Sequence, residues 1–186
     1  MKRRQFVVLD RDGTIIVDHY YLSDPRQIEL LPEAVRGLRL LLKMGLGLVV
    51  LTNQSAVGRG FFDEAQLDLV HRQLRELLKA EGVQVEGIYF CPHTPEDNCS
   101  CRKPNPGLIE RAAKELDFDL QASFVVGDKP ADIEMGRRVR ATTFLVRTGY
   151  GSESVSDPTV NPDYVVDDLW VAAQMIQRVV GGGRRQ

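Results

Sequence analysis

Residues 6–14 read FVVLDRDGT, four apolar residues running into two aspartates one residue apart. Phe6-Val7-Val8-Leu9 has the length and β-branched content of a strand buried on both faces, and Gly13 marks the turn that ends it. This predicts an α/β fold with Asp10 at the carboxyl end of a parallel strand. In an open α/β sheet that edge borders the ligand crevice, so an acid there is a candidate functional group. Asp10 and Asp12 project to the same side, where close carboxylates repel unless a cation or a proton intervenes. A divalent metal suits the pair. Asp10 is then placed to attack a phosphoryl group, and Asp12 to protonate the leaving oxygen and later activate water. The competing reading is a polar turn after a strand, and this stretch alone does not decide between the two.

A chain of 186 residues suffices for one well-buried core and is short for two, so a single domain over residues 1–186 is expected. A net charge of −2 with acids and bases interspersed leaves no footprint for nucleic acid, and Lys2-Arg3-Arg4 is only a short basic patch. The apolar run before Asp10 is too short for a signal-peptide core or a membrane span, so a cytoplasmic protein without a membrane partner is expected. Cys91, Cys99 and Cys101 crowd together in odd number, which suits metal binding in a reducing compartment better than a disulfide framework. A tail around residues 181–186, opening with Gly181-Gly182-Gly183, is expected to be mobile.

Residues 15–26, IIVDHYYLSDPR, have no sustained period and read as an excursion from the sheet that covers the site. Pro32 opens a helix with Val35, Leu38, Leu41 and Leu42 on one face, and Gly45 ends it. A second strand over residues 46–51 delivers Thr52-Asn53-Gln54-Ser55, a hydroxyl and amides suited to phosphate oxygens, although an isolated Thr-Asn is as readily a turn. The following SAVGRG is glycine-rich with one cation, Arg59, as a loop around an anion would be. Asp63 caps a long helix whose stripe is Leu67, Val70, Leu74, Leu77 and Leu78 and whose stop is Gly82. His71 reads as a surface residue beside that stripe. A third strand is expected over residues 85–90.

The loop CPHTPEDNCSCRKP follows it. Cys91, His93, Cys99 and Cys101 form the complete ligand set of a closed tetrahedral zinc site, and four protein ligands make the zinc structural. The intervening Glu96, Asp97 and Asn98 argue against mere burial of the cysteines. The zinc would anchor Arg102 and Lys103, cations suited to phosphate oxygens. Pro104 and Pro106 pre-set a helix over residues 107–116. A strand over residues 123–127 brings Asp128 and Lys129 to the same edge as Asp10, with Asp132 favouring the start of the next helix. Strands over residues 141–146 and 164–166 and a helix over residues 169–179, with Trp170 packed on the sheet, complete the chain.

DRDGT, TNQS, CRKP and GDK, in that order, resemble the motifs of the haloacid dehalogenase (HAD) superfamily of phosphatases. The resemblance extends from Phe6 to about Tyr150. It implies a Rossmann-like fold with a mainly parallel sheet, helices on both faces and little or no cap. It also implies that Asp10, Asp12, Thr52 and Lys103 are catalytic. Mg²⁺ would be held by Asp10, Asp128 and the backbone carbonyl of Asp12. In the superfamily the excursion after the first strand holds substrate, which puts Asp18, His19, Tyr20 and Tyr21 near it, beside Asn53, Gln54, Ser55, Arg59, Arg102 and Lys129.

The C-x-H…C-x-C loop running into CRKP is similar to the branch of heptose bisphosphate phosphatases and histidinol phosphatase domains. TNQSAVGRG, VVGDK and VDHYY favour the heptose side and loss of its 7-phosphate, although the branch's Gly-Tyr appears here as Tyr20-Tyr21. A small phosphorylated sugar is the expected partner and a monomer the expected state. The alternatives are histidinol phosphate or another small phosphorylated sugar as substrate, a phosphotransferase using the same aspartyl phosphate, and a zinc knuckle for nucleic acid.

Overall fold

The strand predicted at the start is β1 (Phe6–Leu9), which lies inside a six-stranded sheet in the computed structural model; residues 4–182 are described. The chain continues through α1 (Ala34–Lys43), β2 (Gly47–Asn53), α2 (Ser55–Gly58), α3 (Glu64–Ala80), β3 (Gly87–Cys91) and α4 (Gly107–Leu116). It then runs through β4 (Phe124–Gly127), α5 (Pro130–Arg138), β5 (Thr142–Val146), α6 (Gly151–Ser154), β6 (Tyr164–Val166) and α7 (Leu169–Gly182). All strand pairs are parallel, in the order β3-β2-β1-β4-β5-β6. The chain therefore winds outward from β1 in one direction and from β4 in the other. The crevice beyond the carboxyl ends of β1 and β4 is the switch point where open α/β sheets take ligands.

The period of two in β1 divides the core. Val7 and Leu9 face a cluster with Leu38 and Leu41 of α1, Val70 and Leu74 of α3, and Ala172, Ala173 and Ile176 of α7. Phe6 and Val8 face the opposite cluster, with Leu108, Ile109 and Ala112 of α4 and Met135 of α5. Burial of each large apolar side chain contributes about 1.5–3 kcal/mol, and Phe6 adds a stack on Phe118, centroids 4.5 Å apart. The alternation thus fixes helices on both faces. Among the described residues no helix is long and apolar enough to cross a membrane.

Several expectations need correction. β2 runs two residues past the predicted end, because Thr52 and Asn53 still pair with Phe90 and Cys91 of β3. Ile15 and Ile16 are fully buried and Leu22 returns to the core, so the excursion leaves it only between and after them. SAVGRG is no open anion loop: its first four residues form α2, and Gly58 N–H donates to the Pro92 carbonyl at 2.9 Å. A Cβ on Gly58 would lie 2.7 Å from that carbonyl oxygen, so glycine is needed there for packing against the cysteine loop. His71 is buried, and Trp170, expected on the sheet, receives the Arg36 guanidinium of α1 over its ring at 3.8 Å. Gly181 and Gly182 continue the last helix. The rest of the predicted tail, residues 183–186, and Lys2-Arg3 lie outside the described residues.

Candidate active site

The ends of β1, β2 and β4 converge on Asp10, Thr52 and Asp128, all buried. Lys103 enters from the cysteine loop, and its ammonium donates to Asp10 Oδ1 at 2.8 Å, Asp132 Oδ1 at 2.6 Å and the Leu51 carbonyl at 2.8 Å. Asn53 fixes the Lys103 backbone from both sides, accepting from its N–H at 3.0 Å and donating to its carbonyl at 3.1 Å. Asp132 has two roles, since its Oδ2 also accepts from the Lys129 N–H at 3.1 Å and caps α5. The helix-start reading of Asp132 is therefore half of its function in the fold.

Burial alone would raise the Asp10 carboxyl, but Lys103 and Lys129 bring it below the usual range. Asp128 is pushed up to about 8 by burial and by the carboxylate of Asp10, with Asp132 adding to both. Its Oδ2 accepts from the Tyr150 N–H at 2.8 Å, whereas its Oδ1 is buried without a hydrogen-bond partner among the described residues. Gly13, at φ +82°, is required here: a Cβ would fall 2.2 Å from Asp128 Oδ2. Carboxylate oxygens of Asp10, Asp128 and Asp132 all lie within 4.8 Å of one another. Three acids around one orphaned oxygen fit a hard divalent cation.

Asp12 is oriented by Arg11, which the motif left without a role, and by Gln54, expected at the substrate. Among the described residues Arg11 is the largest fully buried side chain. Its Nε donates to Asp12 Oδ2 at 3.0 Å and its Nη2 to Asp12 Oδ1 at 3.1 Å. Its remaining nitrogen, Nη1, lies 3.1 Å from Nε2 of His71. Gln54 donates both to Asp12 Oδ2 at 3.1 Å and to Thr52 Oγ1 at 2.7 Å. A signal for His71 was present, since it stands four residues after Leu67 and three before Leu74, inside the buried stripe.

The four predicted ligands of the cysteine loop come together. Cys91 Sγ lies 3.1 Å from Cys101 Sγ and 3.5 Å from Cys99 Sγ, and His93 Nδ1 is 3.3 Å from Cys101 Sγ. Contrary to expectation, Cys91 is fully buried as the last residue of β3, while Cys99 and Cys101 are half-buried. Burial, opposed by hydrogen bonds from Cys101 and Cys91, leaves the Cys99 thiol lowered to about 7. Three soft sulfurs and one imidazole nitrogen converging on a point suit a tetrahedral metal.

A cleft of about 370 Å³ opens above this floor, lined by Asp12, Asp18, Tyr20, Tyr21, Asn53, Gln54, Ser55, Arg102, Lys103 and Lys129 among others. Leu22, Ala131 and Tyr150 also line it and were not anticipated. Beneath it a pocket of about 40 Å³ reaches Asp10, Thr52 and Asp132. Two predicted substrate contacts stand apart. His19 is exposed and lines neither cavity, and Arg59 points to Glu96, 3.9 Å away. Arg102 donates to the His93 carbonyl at 3.0 Å, so the cysteine loop fixes its direction. Lys129 reaches Asp18 at 3.0 Å, and Asp18 in turn accepts the Tyr20 N–H at 2.8 Å. Tyr20 takes φ +61°, the left-handed conformation that glycine adopts without strain, so Asp18 holds the turn that Tyr20 would disfavour.

Residues 100–172 match the family model described as HAD-hydrolase-like. The chain is 41% identical, over 92% of its length and 93% of the relative's, to D-glycero-beta-D-manno-heptose-1,7-bisphosphate 7-phosphatase of Escherichia coli K12. It is 35% identical to the protein of that name from Pseudomonas aeruginosa, over 93% of this chain and 98% of the relative. The crystal structure of D,D-heptose 1,7-bisphosphate phosphatase from B. bronchiseptica, complexed with magnesium and phosphate, superposes with a TM-score of 0.87 at 31% identity. That match covers 94% of this chain and 99% of the other. Similarity at this level, running through both the strand-end acids and the cysteine loop, makes the chain a member of the HAD phosphatases, in the family of heptose 1,7-bisphosphate 7-phosphatases.

Proposed function

We propose that this protein hydrolyses the 7-phosphate of D-glycero-D-manno-heptose 1,7-bisphosphate through an aspartyl phosphate on Asp10. The carrying observation is the Lys103-bound carboxylate of Asp10 beneath a cleft whose rim holds Asp12. In the first step a bond forms between an Asp10 carboxylate oxygen and phosphorus while the bond from phosphorus to the sugar oxygen breaks. Protonated Asp12 gives its proton to that oxygen, releasing an alcohol. In the second step Asp12 takes a proton from water, the water oxygen bonds to phosphorus, and the Asp10 oxygen leaves with inorganic phosphate released. Thr52 donates to the phosphoryl oxygens as charge shifts, and the Lys103 ammonium, held by Asp10, Asp132 and the Leu51 carbonyl, stabilises them through its positive charge, the preorganised stabilisation that slow phosphate-ester hydrolysis demands.

The unpartnered oxygen of Asp128 and the magnesium in the B. bronchiseptica structure support Mg²⁺ as the cation for Asp10, Asp128 and the Asp12 carbonyl. When bound it neutralises charge on the transferring phosphoryl group. The donor set of the cysteine loop supports a structural Zn²⁺ that holds Arg102 and Lys103 in place. Asp18, Tyr20, Tyr21, Ser55, Arg102 and Lys129 are proposed to contact the sugar or its second phosphate. We place the enzyme in the cytoplasm as a single-domain monomer.

The test is phosphate release with Mg²⁺ from both anomers of the heptose bisphosphate and from histidinol phosphate, with Asp10→Asn as the blank. A kcat/KM preference of at least 100-fold for one bisphosphate anomer is expected, with no release by the variant. A preference for histidinol phosphate would replace the substrate, and release by Asp10→Asn would remove the nucleophile.

A further inference from the structure

Arg11 and His71 are a buried pair that the chemistry above does not use. We propose that His71 is a positioning residue for phosphoryl transfer: it holds Arg11, and Arg11 fixes Asp12 so that a single oxygen, Oδ1, stays open to exchange the proton. This rests on the acid–base role given to Asp12.

A carboxylate oxygen accepts about two hydrogen bonds. Asp12 Oδ2 receives two, from Arg11 Nε at 3.0 Å and Gln54 Nε2 at 3.1 Å, and is filled. Asp12 Oδ1 receives one, from Arg11 Nη2 at 3.1 Å, a nitrogen that also lies 3.0 Å from Oδ2, and keeps one site. The selection depends on the plane of the guanidinium, because the two-point contact turns with it. That plane is set from behind. Arg11 is 1% exposed and cannot draw on bulk water, and Nη1 ends on His71 Nε2 at 3.1 Å.

Arginine has only donors, so the imidazole must offer a lone pair at Nε2 and carry its proton on Nδ1. The groups around His71 enforce the neutral ring. It lies inside the apolar stripe of α3, its ring is 5.7 Å from that of Phe90, and both Arg11 and Arg75 repel a proton from it. A neutral acceptor there is the one form that can hold a guanidinium without competing with Asp12 for it.

General acid catalysis matters in proportion to the basicity of the leaving oxygen. A sugar alkoxide needs the Asp12 proton; 4-nitrophenolate does not. The experiment measures kcat/KM of the Mg²⁺-loaded full chain, which reports steps through aspartyl-phosphate formation, for the heptose bisphosphate and for 4-nitrophenyl phosphate. His71→Leu removes the acceptor, whereas the side-chain oxygen of His71→Gln can replace it. For His71→Leu we expect a fall of about 10-fold or more on the sugar phosphate, a fraction of the roughly 10²–10⁴ that general acids supply, and less than about 3-fold on the aryl ester. Glutamine should recover most of the loss. Equal losses on both esters, no loss, or no recovery with glutamine would overturn the proposal.

Arg11→Lys, which keeps the charge and loses the fork, is to show the same discrimination between esters, and it decides the matter if His71→Leu does not fold. If the wild-type enzyme spares the heptose bisphosphate but cleaves another alkyl phosphate, the substrate reading fails and the His71 comparison proceeds on that ester. If it cleaves no phosphate ester, both fail.

Discussion

Lys103 commits its ammonium to Asp10, Asp132 and the Leu51 carbonyl, in a setting where it is 5% exposed. Burial alone would lower its proton affinity, but the two carboxylates raise it above the ordinary lysine value, so the cation is permanent at neutral pH. Its removal leaves two buried carboxylates facing each other. Lys103→Met, similar in length and uncharged, is expected to cost about 3–5 kcal/mol in metal-free protein, the penalty of a broken buried ion pair. Urea unfolding measures it, and a loss below 1 kcal/mol would mean that the acids are hydrated. Lys103 itself was legible in CRKP, and Asp132 was legible as a helix cap. Their pairing was not, because local propensity carries no information about a partner 29 residues away. Arg11 was hidden for a related reason: an arginine between two aspartates reads as solvated, and only the neighbouring α3 explains its burial.

At the scale of elements, the loop from β3 to α4 does most of the placing. It starts in the sheet at Cys91, gathers His93, Cys99 and Cys101, and delivers Lys103 to the clamp of Asn53. Its ligand spacing was readable because metal chemistry limits residue types sharply. The neighbouring SAVGRG was misread because glycine serves both anion loops and close packing, and Gly58 does the latter against Pro92. A metal-pinned loop predicts a specific failure. Cys101→Ser, with its weaker oxygen ligand, should lose bound zinc and lower kcat/KM by about 10–100-fold, as changes in metal-supporting shells do. Elemental analysis beside the rate measurement checks this. Retained zinc with full activity would show that three ligands hold the loop.

For the whole molecule, the parallel sheet and its strand ends were readable from apolar runs punctuated by acids, since strands buried on both faces must be almost continuously apolar. Strand order is a non-local property and emerges only in the structure, where β1 and β4 become neighbours and bring Asp10 against Asp128. That juxtaposition sets stability against function across the sheet's centre. In the absence of metal Asp10 and Asp132 face Lys103 and Lys129, while Asp128, pushed up to about 8, must take up a proton to fold at neutral pH, and one of its oxygens is unpartnered among the described residues. Asp128→Asn removes that proton uptake, keeps an oxygen for the Tyr150 N–H, and gives an amide that can donate to a neighbouring carboxylate. Metal-free at neutral pH, the variant should melt higher than wild type, by about 2–4 °C for each kcal/mol of that protonation cost relieved. Magnesium at 100 times its dissociation constant should reverse the order, since binding then stabilises wild type by about 2.7 kcal/mol while the amide binds poorly. Melting curves of both proteins with and without Mg²⁺ decide the point: a variant less stable than wild type in the absence of metal would mean that the lysines already neutralise the site, and equal gains with Mg²⁺ would remove Asp128 from the metal site.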